Sequence, residues 1–129
     1  MIRSTLRVLI GLVGILALLV SARLWIAPAK VGAVLGLVSD GLTGTATLRA
    51  DVAGFFAGLG LFSLLAALRE DRLLVVVPLA LVGLALAGRL LNAVLLGLSS
   101  QQHASLAIEA ALVVLFLAGL RVFANADRV

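Results

Sequence analysis

The sequence contains no cysteine, which excludes disulfides, thiolate nucleophiles and cysteine-ligated metals. Its single histidine, His103, is too little for a His-rich metal or haem site within one chain. Charge is scarce: Asp, Glu, Lys and Arg make up 12% of the 129 residues. The ten basic residues exceed the six acidic ones, for a formal charge of +4, but they stand singly between apolar runs. A nucleic-acid surface needs a dense basic patch, so no nucleic-acid partner is expected. No metal or cofactor is expected either. Nine of the ten basic residues are Arg, which with the Ala, Leu, Val and Gly bias points to a GC-rich bacterial genome.

Apolar residues fill the space that charge leaves. They make up 64% of the chain, and the mean hydropathy is +1.29. A water-soluble domain of this size cannot hide so much apolar surface, so the expected solvent is lipid. The length suits a single transmembrane domain covering residues 1–129.

Crossing a hydrocarbon core of about 30 Å takes about 20 apolar residues in a helix. Four stretches qualify, over approximately 6–26, 48–68, 73–98 and 104–123. The first stops before Pro28, and the second ends at Arg69-Glu70-Asp71-Arg72. The third ends at Ser99-Ser100-Gln101-Gln102, and the fourth in the polar tail Asn125 to Val129. In lipid each span must satisfy its own backbone, so all four read as helices. The expected fold class is all-α, an integral membrane four-helix bundle. The short joint between spans two and three makes them an antiparallel hairpin, with Asp71 placed to cap span three. Pro78 is expected to bend that helix.

Residues 28–47 differ from the spans. Lys30 to Leu37 is apolar but too short to cross, and Ser39-Asp40-Gly41 and Thr43-Gly44 read as turns. A short interfacial helix or a re-entrant segment is expected between helices 1 and 2. Residues 1–22 carry a second reading as a cleaved signal peptide, with a basic start, an apolar run and Val20-Ser21-Ala22 at its end. Against cleavage, Arg23-Leu24-Trp25-Ile26 prolongs the apolar run, and Trp25 suits an interfacial anchor.

Orientation follows from the basic residues. With the N-terminus inside, that face collects Arg3, Arg7, Arg69, Arg72, Arg121 and Arg128. The other face has Lys30, with Arg23 and Arg49 at helix ends. The positive-inside rule then puts both termini in the cytoplasm, for a multi-pass protein of the bacterial inner membrane. Small residues mark close helix packing: Gly54 and Gly58 in span two, Gly83 and Ala87 in span three. Gly54 and Gly58 therefore offer a face for a helix partner or a homo-oligomer, although Gly and Ala are common in any membrane helix.

The charges inside the spans carry the most information. Arg89 lies sixteen positions after Leu73, about 24 Å from the cytoplasmic end. Glu109 lies five positions into span four, about 8 Å from the outer end. Arg49 and Asp51 open span two, and Arg23 closes span one. Counting thus brings five ionisable groups from four helices to a similar depth near the exported face. A lone charge facing lipid costs about 2.5–3.5 kcal/mol at a helix centre, so these groups are expected to turn inward and pair. Arg89 and Glu109 are the preferred pair. Asn92 shares the Arg89 face, and Asp51 can compensate Arg49 or Arg23. A cluster of three positive and two negative groups keeps one spare positive charge, which favours an anionic head group or carboxylate. The alternative is structural: an ion-pair network that fixes helix register, with Arg23, Arg49 and Asp51 snorkelling to the surface. His103 reads as a solvated loop residue.

The arrangement of Pro28, Gly36, Arg49, Gly54, Gly58, Arg89 and Glu109 resembles the small bacterial membrane proteins catalogued as domain of unknown function 4345. The resemblance covers nearly the whole chain. It implies a four-helix inner-membrane protein in which Arg49, Arg89 and Glu109 are the characteristic polar positions, and it implies no activity. Asp51 and Asn92 come from position alone.

Three functions fit the sequence. The favoured one is an accessory or binding protein holding a membrane lipid or small amphiphile at the outer-leaflet cluster. The second is a small oligomeric transporter. The third is a membrane enzyme with Glu109 as acid or base and Arg89 orienting an anion. No nucleophile–base pair, metal motif or phosphate loop supports the enzyme, and no catalytic residue is assigned.

Overall fold

The computed structural model describes residues 1–124. The tail from Asn125 to Val129, with Arg128 in it, lies outside the described residues. Helix α1 covers Ile2–Ile26 and α2 covers Pro28–Val34. Helix α3, Gly41–Thr47, runs through a π-helical turn at Leu48–Val52 into α4, Ala53–Arg69. Helices α5, Arg72–Leu96, and α6, Ser100–Ala124, complete the chain. Four helices are long and apolar enough to cross a membrane: α1, the continuous Gly41–Arg69 unit, α5 and α6. The short α2 does not span.

Local chemistry explains the boundaries. Proline disfavours helical backbone in the residue before it, so α1 breaks at Ala27, with φ −135° and ψ 65°. Pro28 then opens α2 at a position where its missing N–H costs nothing. A Cβ on Gly32 would come within 2.9 Å of the Leu48 side chain, so α2 lies close against the start of the π turn. The Asp71 carboxylate accepts from the Leu73 N–H at 2.8 Å and caps α5. At its far end, α5 stops at Gly97, whose φ of 86° suits glycine.

The structure corrects three local readings. Thr43-Gly44 is helix, not turn: the Thr45 and Thr47 hydroxyls donate to the Gly41 and Thr43 carbonyls one turn back, which lets polar residues sit within a helix. Ser100 to Gln102 form the first turn of α6 and not a loop. His103 belongs to that helix as well, with Nδ1 3.0 Å from the Ser99 carbonyl.

The four long helices alternate in direction and form a closed ring in which α1 packs on α4, α4 on α5, α5 on α6 and α6 on α1. The core holds Ile10, Ala17, Leu59, Ala66, Ala67, Val75, Val82, Phe116 and Phe123. Outward faces are apolar, with Leu16, Leu19, Leu84, Val94 and Val114 all exposed. This is the pattern of a bundle solvated by lipid.

The tightest approach is between α1 and α4. A Cβ on Gly14 would lie 2.8 Å from the Leu64 nitrogen, and one on Gly60 would lie 2.8 Å from the Gly14 carbonyl oxygen. Two small residues far apart in sequence thus let the backbones touch. Of the expected small-residue positions, a Cβ on Gly58 would meet Leu81 at 3.7 Å, whereas Gly54 and Gly83 border open space.

Candidate functional site

Buried residues on α5 are Val75, Pro78 and Val82, and on α6 they are Phe116, Gly119 and Phe123. All lie toward the end where the chain begins. Toward the other end the bundle opens, and there Arg89 of α5 and Glu109 of α6 meet, with Arg89 Nε donating to Glu109 Oε1 at 2.6 Å. The Arg89 side chain is 41% exposed and that of Glu109 is 15% exposed, so the arginine head is reachable and the carboxylate largely enclosed. The second carboxylate oxygen, Oε2, is buried and has no hydrogen-bond partner among the described residues.

Two clefts share Arg89 and Ala85. One, of about 190 Å³, is lined mainly by apolar side chains, among them Leu35, Phe55, Phe56, Leu59, Val82, Ile108 and Leu112, together with Ser105 and Glu109. The other, of about 250 Å³, is lined by Gly88, Asn92, Leu98 and Gln102. The guanidinium therefore borders an apolar cleft on one side and a more polar one on the other. Helical spacing creates these walls: Ala85, Gly88, Arg89 and Asn92 form one stripe on α5, and Ser105, Ile108, Glu109 and Leu112 one on α6.

The other charged groups at this end are arranged differently. Arg49 Nε donates to the Trp25 carbonyl at 3.0 Å, and Trp25 Nε1 donates back to the Arg49 carbonyl at 3.1 Å. The guanidinium thus satisfies a carbonyl in the last turn of α1, where helical carbonyls lack partners. Arg23 and Asp51 are exposed. No ion pair joins Arg23, Arg49 or Asp51 to Arg89 or Glu109 among the described residues. The spare positive charge expected of a five-group cluster is therefore absent from the pair itself, where Arg89 and Glu109 balance.

Sequence reasoning passed over several members of this end. Buried Ser21 donates to the Ala53 carbonyl at 2.8 Å, just below the π turn. Phe55 and Phe56 stand edge to face, with ring centroids 5.4 Å apart. The three- and four-residue helical spacing around Arg89 and Glu109 was the signal that could have found Ala85, Ser105 and Leu112. Nothing in the sequence marks Leu35. At the opposite end, Glu70 accepts from both Arg3 and Arg7, the latter at 3.2 Å. These pairs join the start of α1 to the end of α4.

Fold and site together define a small, compact, all-helical protein of the integral membrane class. No family model matches the chain, and no curated protein or solved structure matches it.

Proposed function

We propose that the protein holds a lipid or small amphiphile at the Arg89–Glu109 end of its bundle, alone or as an accessory subunit. The observation that supports this most is the position of the Arg89 head between an apolar cleft and a polar one. An amphiphile needs both surfaces side by side, with a donor where its head meets its chain. Each cleft is smaller than the about 300–1,000 Å³ usual for small-molecule pockets. The site therefore fits a head group and the start of one chain, the rest lying in the bilayer.

In this reading Arg89, Glu109 and Asn92 are the binding groups. Arg49 steadies this end by tying the π turn to α1, and Arg23 and Asp51 are exposed at the same end of the chain's spans. The setting is the bacterial inner membrane, with both termini cytoplasmic and the site toward the outer leaflet. Arg3, Arg7, Arg69, Arg72 and Arg121 at the opposite end support that orientation. Helix α1 is retained, as its Gly14 crossing and Ser21 bond suggest. The positional likeness to the family of domain of unknown function 4345 belongs to the same proposal and adds no activity. The test is a native mass spectrum after gentle extraction: wild-type protein should carry bound lipid, and Arg89→Ala should lose it. Bare wild-type protein would count against the proposal.

A second reading, a small oligomeric transporter, draws on the π turn at Leu48–Val52, a type of helix interruption often found at functional sites. Such an assembly would use the face of Gly54 and Gly58, since Gly54 borders open space. Flux of a candidate amphiphile across proteoliposomes, abolished by Arg89→Ala, would favour it over static binding.

A further inference from the structure

The ion pair is incomplete on both sides. Arg89 uses Nε toward Glu109, and its two terminal amino groups make no hydrogen bond among the described residues. Glu109 uses Oε1, and its Oε2 has no partner among the described residues although it is buried. A planar guanidinium and a carboxylate can make two parallel bonds; here they make one. The site thus has donors left over on the arginine and an acceptor left over on the glutamate. Its formal charge is zero, because Arg49 is committed to the Trp25 carbonyl and no ion pair brings Arg23 or Asp51 to it.

A ligand must match this inventory. A head that is only anionic would satisfy Arg89, leave Glu109 Oε2 unpaired, and add a net negative charge to a weakly polar setting, which is costly. A head that carries both signs adds no net charge and fills both vacancies. We infer that the site takes a zwitterionic amphiphile, with a phosphate on the Arg89 amino groups and an N–H-bearing ammonium on the Glu109 carboxylate. The inference rests on the amphiphile reading above and narrows it to one class of head group. Oε2 is sealed in the unliganded bundle, so ligand entry shifts side chains that line the apolar cleft, Leu35 among them, and leaves the Arg89 Nε–Glu109 Oε1 bond in place. The chain just beyond Leu35 passes through Gly36 and Gly41, with φ of 76° and 59°, so its path there relies on backbone that only glycine adopts readily.

The test uses the full chain in maltoside micelles, titrated with three lysolipids of one acyl length and followed by native mass spectrometry. Lysophosphatidylethanolamine supplies phosphate and N–H. Lysophosphatidylcholine is equally zwitterionic but has no N–H, and lysophosphatidylglycerol is anionic. The ethanolamine lipid should bind at least about tenfold tighter than either, the worth of one charge-assisted hydrogen bond. Glu109→Gln should bring the ethanolamine-to-choline ratio close to one. Should that variant fail to fold, the wild-type ratios decide alone. Equal binding of the ethanolamine and choline lipids, tightest binding of the glycerol lipid, or an unchanged ratio in folded Glu109→Gln would overturn the zwitterion and leave the amphiphile site standing. Absence of saturable binding by all three would remove both.

Discussion

Along α1 and α4, buried residues run from one end of the seam to the other: Ile10, Gly14, Ala17, Ser21 and Leu24 on one helix, Ala53 to Ala67 on its partner. Along α5 and α6 they stop half-way. Within the apolar windows of these helices, 28% and 33% of residues are buried in the first pair, against 17% in each helix of the second. Lipid tails are as apolar as leucine, so the hydrophobic effect does little to press helices together in a bilayer. A seam closes where small residues let backbones touch, as at Gly14 and Gly60. Where small residues face no close neighbour, as at Gly88 on α5, the seam stays open and a polar contact can hold it. The first pair of helices is therefore a rigid spine. The second leaves room for a site.

That contrast breaks most readily at Gly60. A Leu there would drive its Cβ against the Gly14 carbonyl and the Leu18 nitrogen, both at 2.8 Å and both backbone. Destabilisation of at least about 3 kcal/mol is expected, measured by thermal unfolding in detergent. Gly54→Ala, with open space around it in α4, is the control and should be neutral or stabilising by up to about 1 kcal/mol.

The next effect is at the open seam. Arg89→Leu alone strands a largely enclosed carboxylate and should cost about 1–3 kcal/mol. Adding Glu109→Leu should recover most of that loss, because removing both partners leaves no unpaired charge. A double variant less stable than either single one would mean that the pair itself holds the seam together.

Two serines on the spine sharpen the comparison further. Ser21→Ala removes the hydroxyl bonded to the Ala53 carbonyl and should cost about 1 kcal/mol. Ser63 is equally buried, but its hydroxyl has no partner among the described residues, so Ser63→Ala should be neutral or stabilising. A small effect is also expected at the charged end. Arg7 is half exposed where it meets Glu70, and Arg7→Ala should change stability by less than about 1 kcal/mol, and by less still in high salt.

Much of this was legible before folding. Four spans follow from apolar run length, the Asp71 cap follows from residue type beside a short joint, and counting brings Arg89 and Glu109 to one depth. The spine was not legible. Gly14 and Gly60 lie in different helices and form no motif, and a glycine's packing role depends on which face its neighbour presents. The GxxxG of Gly54 and Gly58 matches the known pattern, yet within the chain it makes only the looser contact with Leu81. The partner of Arg49 was hidden for a related reason. It is a backbone carbonyl, freed by the helix end before Pro28, and carbonyls carry no sequence signature. The helical state of Thr43 to Thr47 and of Ser100 to Gln102 was missed because polar residues suggest turns, whereas threonine hydroxyls bond back onto α3 and the Gln102 side chain accepts from the Ser99 N–H at the start of α6.

Whether the open seam exists for a ligand or for its own stability is decided most directly by the Arg89→Leu/Glu109→Leu double variant. The measurement is its bound-lipid stoichiometry by native mass spectrometry after gentle extraction. A folded bundle stripped of the lipid that wild type carries is the expected result. Lipid retained at the wild-type level would contradict the account.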